Sequence, residues 1–271
     1  MNQYYLGNTL INDSYLGNIR VGDLIGGKFP YTIDYLIVGG GGSGGGLDAG
    51  ANLTGGGGGA GGLLSGSMLI PALTTYNVTV GAGGIDGGGT NGNGAFSLFG
   101  NLTAFGGGKG GSATTFTSGQ NGGSGGGGGQ VAGATAGTGS AGQGNAGAGG
   151  LAGRAGAGGG ALNAASGDVT GSGLVSSING TPTLYAPGGF NGTNSTANVK
   201  PAKPTTVGSG GQGSKALSSG VRIFGGDAAN GIVIIRYLGS QRALGGTVTT
   251  DGAYTVHTFN NTTGSFEFYS N

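Results

Sequence analysis

The sequence predicts a fold without substantial α-helix, mostly irregular and all-β, in which a bundle of polyglycine II helices is closed by short β-strands, with small β elements at both termini. Three observations predict it. Glycine supplies 76 of 271 residues, about four times ordinary usage. Only 7% of residues are charged and 35% are hydrophobic, the reverse of a disordered chain. The glycine is also concentrated, with 51 of the 76 residues between positions 39 and 160, and apolar residues such as Leu63, Leu69, Val80, Phe96 and Phe105 return between the runs. There is no Gly-X-Y register, so a collagen triple helix is excluded.

Three regions follow in order. Residues 1–30 repeat Tyr-Leu-Gly-Asn at 5–8 and 15–18. Each copy predicts one short strand and one turn, with Gly7 and Gly17 at the turns. Residues 31–237 form the glycine-rich domain. It opens on Tyr31-Thr-Ile-Asp-Tyr-Leu-Ile-Val38, dense in β-branched and aromatic residues, and closes on the similar run Ile232–Tyr237. These two are expected to lie in one sheet. A further strand is expected before Gly81, and Phe96–Phe105 reads as a hairpin turning at Gly100-Asn101. Residues 238–271 alternate again around Val248, Tyr254, Val256, Phe266 and Phe268, which predicts a separate hairpin cap turning at 260–264.

The runs at 39–42, 44–46, 55–59, 106–108, 125–129 and 158–160 cannot be α-helix, because each glycine costs about 1 kcal/mol relative to alanine. They make poor strands, since glycine offers nothing to pack. An extended helix with about three residues per turn has no internal hydrogen bonds. Without side chains, such helices can approach until their backbones bond to one another. Ordering each residue costs about 1–2 kcal/mol, so only a large cooperative lattice can form.

Several function classes are excluded or lack support. The chain has no cysteine, which removes disulfides and thiolate sites. A formal net charge of +1 offers no basic stripe for nucleic acid or an anionic membrane. No apolar run approaches the ~20 residues of a membrane span, and residues 1–30 lack the basic and apolar pattern of a signal peptide. Gly39-x-Gly41-x-x-Gly44 imitates a dinucleotide fingerprint, but no helix follows to receive a pyrophosphate. Gly22–Lys28 imitates a P-loop, with Phe29 where a metal-binding hydroxyl belongs. Gly41-Gly-Ser-Gly-Gly45 matches a nucleophile elbow only as glycine content makes inevitable. The one histidine, His257, reads as a solvated residue on a strand, sharing a face with Thr255 and Phe259. No enzyme, cofactor, catalytic residue or metal site is expected.

Binding remains. Non-glycine insertions on a rigid scaffold are natural contact loops. The strongest is Leu174–Phe190, where Tyr185 and Phe190 are suited to stack on sugars or fill apolar grooves, and Asn179 and Asn191 to hydrogen-bond hydroxyls. The competing reading is that both rings cap the bundle. Lys200 and Lys203, each followed by proline, read as an exposed stiff loop.

The junction Tyr35-Leu-Ile-Val-Gly-Gly-Gly-Gly42, the segment Tyr76–Gly84, the tract Gly142–Gly147 and the exit Gly225–Tyr237 together resemble the glycine-rich domain of phage tail-fibre and tail-tip proteins. The doubled Tyr-Leu-Gly-Asn opening and the ending Gly245–Phe259 are similar to units of the same proteins. The resemblance implies a polyglycine II sandwich whose edge loops touch a host receptor, as in the detachable tip adhesins of T-even-like phages. It implies a virion location, partners among other virion proteins, a host-surface glycan or outer-membrane protein as target, and a trimer. The N-terminal repeat would then serve virion attachment or oligomer contact. Its own terminal β elements suit mounting along a fibre or on a capsid equally well. A purely structural virion component is therefore the alternative, and a glycine-rich extracellular surface or matrix domain a lesser one.

Overall fold

The computed structural model describes residues 31–47, 52–86, 92–114, 117–217, 222–260 and 263–269, together with the backbone of four short strands before residue 21. Those four are β1 (Tyr4–Leu6), β2 (Thr9–Ile11), β3 (Tyr15–Leu16) and β4 (Ile19–Arg20), paired β1 with β2 and β3 with β4. Each repeat therefore supplies two strands, one on either side of its Gly-Asn, where one was expected. Gly7 and Gly17 lie outside the described residues.

From residue 31 the strands are β5 (Tyr31–Val38), β6 (Leu53–Thr54), β7 (Leu63–Ile70), β8 (Thr74–Thr79), β9 (Ser97–Phe99), β10 (Leu102–Ala104) and β11 (Leu174–Ser176). They continue with β12 (Thr183–Tyr185), β13 (Lys215–Ala216), β14 (Ile232–Leu238), β15 (Ala243–Leu244), β16 (Thr247–Asp251), β17 (Tyr254–Phe259) and β18 (Gly264–Phe268). No α-helix occurs among the described residues, and none of their helices is long and apolar enough to cross a membrane.

Two five-stranded antiparallel sheets form the base of the molecule, ordered β16-β17-β14-β5-β7 and β10-β9-β8-β18-β15. Strands β5 and β14 pair directly, Val38 opposite Ile232, as their composition predicts. The sheets share one core, with Ile33, Ile37, Val233, Ile235 and Phe259 from the first meeting Val78, Phe99, Phe266 and Phe268 from the second. The β9–β10 hairpin turns at Gly100, whose φ of 59° fits the first central position of a two-residue turn. On the first sheet's outer face, the β11–β12 hairpin covers Leu36, Ile234 and Val256 with Ile178 and Tyr185.

The C-terminal strands do not form the expected hairpin cap. Strand β17 already has β14 on one edge and β16 on the other, so it offers no edge to β18. Strand β18 pairs with β8 in the second sheet instead, and that register buries Phe266 and Phe268 completely.

Every junction between a glycine tract and a strand of these two sheets lies at the same end of the sandwich, at residues 38–39, 62–63, 80–81, 96–97, 104–105 and 231–232. Beyond it the backbone bonds with a period of three. Gly39, Gly42 and Gly45 donate to Gly62, Gly59 and Gly56 at 2.9, 2.9 and 2.8 Å. Gly40 and Ser43 donate to Ala95 and Gly92, and Gly41 and Gly44 to Ala229 and Gly226. Three successive residues thus address three different neighbours, which is the polyglycine II arrangement. The 55–62 segment donates to 208–214, 105–111 and 156–159 and accepts from 39–45, 124–127 and 189–192. Six neighbours surround it, as in hexagonal packing, and a run of eight residues spans about 22 Å.

Glycine is obligatory there because the neighbours stand where Cβ atoms would be. A Cβ on Gly58 would overlap the carbonyl oxygen of Gly42, and one on Gly45 that of Gly111. At the lattice surface, where neighbours run out, asparagine amides replace backbone partners. Asn93 Oδ1 accepts from Lys109 N–H, Asn121 Oδ1 from Thr138 N–H and Asn230 Oδ1 from Gly83 N–H, at 2.8, 2.8 and 3.0 Å. The far end is closed by the β6–β13 ribbon and a small cluster of Leu47, Ala113, Ala216 and Ile223 with Leu53.

Candidate functional site

The lattice carries its loops to the end away from the sandwich, and several apolar residues stand exposed there. Ile85 follows the 81–84 glycine tract, and Leu151 and Val169 sit in tight turns whose ends bridge back, Leu151 to Arg154 and Ser166 to Val169. Val199 and Leu217 flank the Asn198–Lys215 backbone hydrogen bond. Phe190 joins them, half exposed, three residues beyond Pro187. These positions have a common origin. A helix at the lattice edge must reverse direction, and the reversing residues have no inner neighbour to cover them.

The same end holds a polar clamp. The Arg154 guanidinium donates from Nε to Asp168 Oδ2 at 2.7 Å, and its second nitrogen forms an ion pair with the same carboxylate. Asn191 Nδ2 donates to Asp168 Oδ1 at 2.7 Å and to Ala155 O at 2.6 Å. Its Oδ1 accepts from Thr193 N–H and caps the 3-10 turn Gly192–Asn194. The hydrogen bond from Arg154 holds the Asp168 carboxyl below its ordinary range, against partial burial, and the Asn191 amide adds to that effect. The clamp joins the segments at Arg154, Asp168 and Asn191.

The four residues singled out in the sequence do not form one surface. Tyr185 is 1% exposed, packed between the β11–β12 hairpin and the first sheet, and burial raises its phenol pKa. Asn191 is fully buried and spends its amide on the clamp. Asn179 lies on the hairpin over the base sheet, where its Oδ1 closes a turn onto Thr181 N–H. Phe190 alone is exposed at the lattice end. The segment Leu174–Phe190 splits because its first half is a hairpin on the sandwich and its second half, from residue 186, runs along the lattice toward the far end.

His257 is buried, not solvated. It shares its strand face with Thr255 and Phe259 as expected, but that face is the sandwich interior. A carbonyl can only accept, so Nδ1–H donates to Gly245 O at 2.7 Å, and Nε2 accepts from the Tyr237 hydroxyl at 3.0 Å. Tyr237 in turn accepts from Arg242 N–H at 2.8 Å. Burial lowers the His257 pKa, opposed by the Gly245 contact.

The expected stiff loop at Lys200 and Lys203 is fastened. Lys200 Nζ pairs with Asp227 at 2.8 Å, and Lys203 Nζ donates to Asn230 Oδ1 at 3.1 Å. The members on each side are three positions apart, so two extended segments run in parallel with matching period. Sequence reading missed Arg154, Asp168 and the apolar rim. The available signal was a lone leucine, valine or arginine between glycines, which low complexity disguises.

No curated protein matches the chain. A family model described as a glycine-rich domain matches residues 28–238, from just before β5 to the end of β14. The match spans the two junction strands and the whole lattice between them, well over half of the chain, and the chain belongs to this glycine-rich domain family.

Proposed function

We propose that the chain is a non-enzymatic structural protein of a phage virion, a tail fibre or receptor-binding adhesin that contacts the host cell surface through loops on a rigid polyglycine II scaffold. The observation that carries this reading is the apolar rim of Ile85, Leu151, Val169, Phe190, Val199 and Leu217 at the end of the lattice away from the sandwich. A partner surface covering these loops would recover about 25 cal/mol for each Å² of apolar area it buries. The Arg154–Asp168–Asn191 clamp supports the reading because contact loops fixed before binding lose little entropy on contact. On this reading the sandwich and N-terminal strands face the particle.

The test is flow cytometry of the purified, fluorescently labelled chain on a panel of bacterial strains. Staining of susceptible strains is expected, with loss in Phe190→Ala and in Leu151→Ser combined with Val169→Ser. Absence of staining from every strain at micromolar protein, with immunogold label on virions, would transfer the role to a purely structural virion component.

A further inference from the structure

We infer that the flank of the lattice, just above the sandwich, holds a binding site for a neutral saccharide, distinct from the loops at the far end. The site begins with the β9–β10 hairpin. Its last paired residues are Ser97 and Ala104, both buried. Immediately beyond this last pair, Phe96 and Phe105 stand half exposed, at 51% and 49%. Both rings line one cavity. Such exposure is unusual in a chain that buries Phe99, Phe259, Phe266 and Phe268 to 2% exposure or less.

The rings border a cavity of about 440 Å³, within the usual range for small-ligand sites. Its floor is glycine backbone, Gly94, Gly106, Gly122 and Gly139, which lets a ligand approach closely. Asn93 and Asn121 stand in the wall. Each has its Oδ1 committed to a backbone N–H, of Lys109 and Thr138, so the amide is fixed and its NH2 group is the part left for a ligand. Ser140 donates its hydroxyl to Gly122 O, which leaves its oxygen to accept, and the Thr138 side chain stands beside it.

Chemistry selects the ligand. No residue lining the cavity is titratable, so nothing there recognises a charged group. An added peptide strand needs a continuous ladder of free backbone groups, and the floor interrupts it, because both groups of Gly122 and one each of Gly94 and Gly106 are already bonded. Gly94 and Gly122 donate to Gly107 and Thr138, and the carbonyls of Gly106 and Gly122 accept from Gly123 and Ser140. Aromatic rings beside oriented amide donors and hydroxyl acceptors suit a pyranose, whose C–H face covers the rings while its hydroxyls reach the rim.

The test is a two-dimensional amide NMR titration of the full chain with glucose, galactose, mannose and N-acetylglucosamine at millimolar concentrations. Shifts confined to residues 93–96, 105–106, 121–122 and 138–140 are expected with at least one sugar. Affinity should fall about tenfold in Phe105→Ala. Asn121→Asp keeps the acceptor for Thr138 N–H but removes the amide donors, and it should also weaken binding. Phe105 and Asn121 are both exposed, so the two variants should keep the parent melting temperature. No shift with any sugar, or equal shifts in both variants, overturns the proposal. Cell staining through the far-end loops is a separate readout and does not depend on this outcome.

Discussion

At the residue scale, what a position tolerates is set by where its Cβ would go. Gly58→Ala would drive a methyl group into the Gly42 carbonyl in the middle of the lattice, where neither partner can move without breaking further hydrogen bonds. A loss of at least about 3 kcal/mol is expected by thermal or chemical denaturation. Gly133→Ala is the control. It has open space around it and a φ of 83°, so only about 1 kcal/mol of backbone strain should appear. Ser43 and Ser124 present the opposite case. Their hydroxyls are buried and make no hydrogen bond among the described residues. Removing an unsatisfied hydroxyl relieves a cost of about 1–3 kcal/mol, so Ser124→Ala should raise the melting temperature. His257 gives the pH dependence. Its folded pKa lies below the ordinary value of about 6.5, so the unfolded chain binds more protons as pH falls. Its contribution is therefore complete above about pH 6.5 and is lost as pH falls through the folded pKa. Melting temperature should decline from neutral pH into the acid range, and His257→Gln should flatten the decline above pH 5 or so, before the carboxylates titrate.

At the element scale, legibility followed the kind of force that positions each segment. Strands β5 and β14 could be read because dense β-branched runs bury on both faces, and the β9–β10 turn because Gly100 must take a positive φ. Strand β7 escaped, since Ser65-Gly66-Ser67 interrupts its apolar residues and only its pairing with all eight residues of β5 defines it. The placement of β18 also escaped, because which edge is vacant depends on the whole sheet order and on no local pattern. The same holds for the candidate residues. Exposure of Phe190 and burial of Tyr185, five positions apart, depend on a hairpin ending and a lattice helix beginning between them. One element contact invites a direct test. Lys109 and Asp86 form an ion pair at 2.6 Å with side chains 6% and 0% exposed, and Asp86 also accepts from Gly225 N–H. The pair joins three lattice segments. Lys109→Met removes the ammonium facing a buried carboxylate and should cost about 3–5 kcal/mol, most of it recovered when Asp86→Asn is added.

At the scale of the whole molecule, the lattice cannot stand alone. Each backbone hydrogen bond nets about 0.5–1.5 kcal/mol, while ordering a residue costs about 1–2 kcal/mol, with glycine at the costly end. One bond per residue therefore leaves the glycine tracts near or below balance, and their order must come from what clamps their ends. The sandwich clamps one end through the shared core of its two sheets, and the Leu47–Ile223 cluster closes the other. Lattice and sandwich are then one cooperative unit, because the strands that fill the core continue directly into the central helices at residues 39 and 62. Native-state hydrogen exchange tests this. Amides of 39–46 and 55–62 should exchange as slowly as those of β5 and β14, by global unfolding alone. Phe266→Ala, far from the lattice in the sandwich core, should accelerate both groups equally, by the factor that corresponds to a loss of about 3–5 kcal/mol. If the glycine amides instead exchange rapidly, or respond less than the strands do, the tracts open on their own. The loops at their far end would then lack the fixed geometry on which the attachment reading rests.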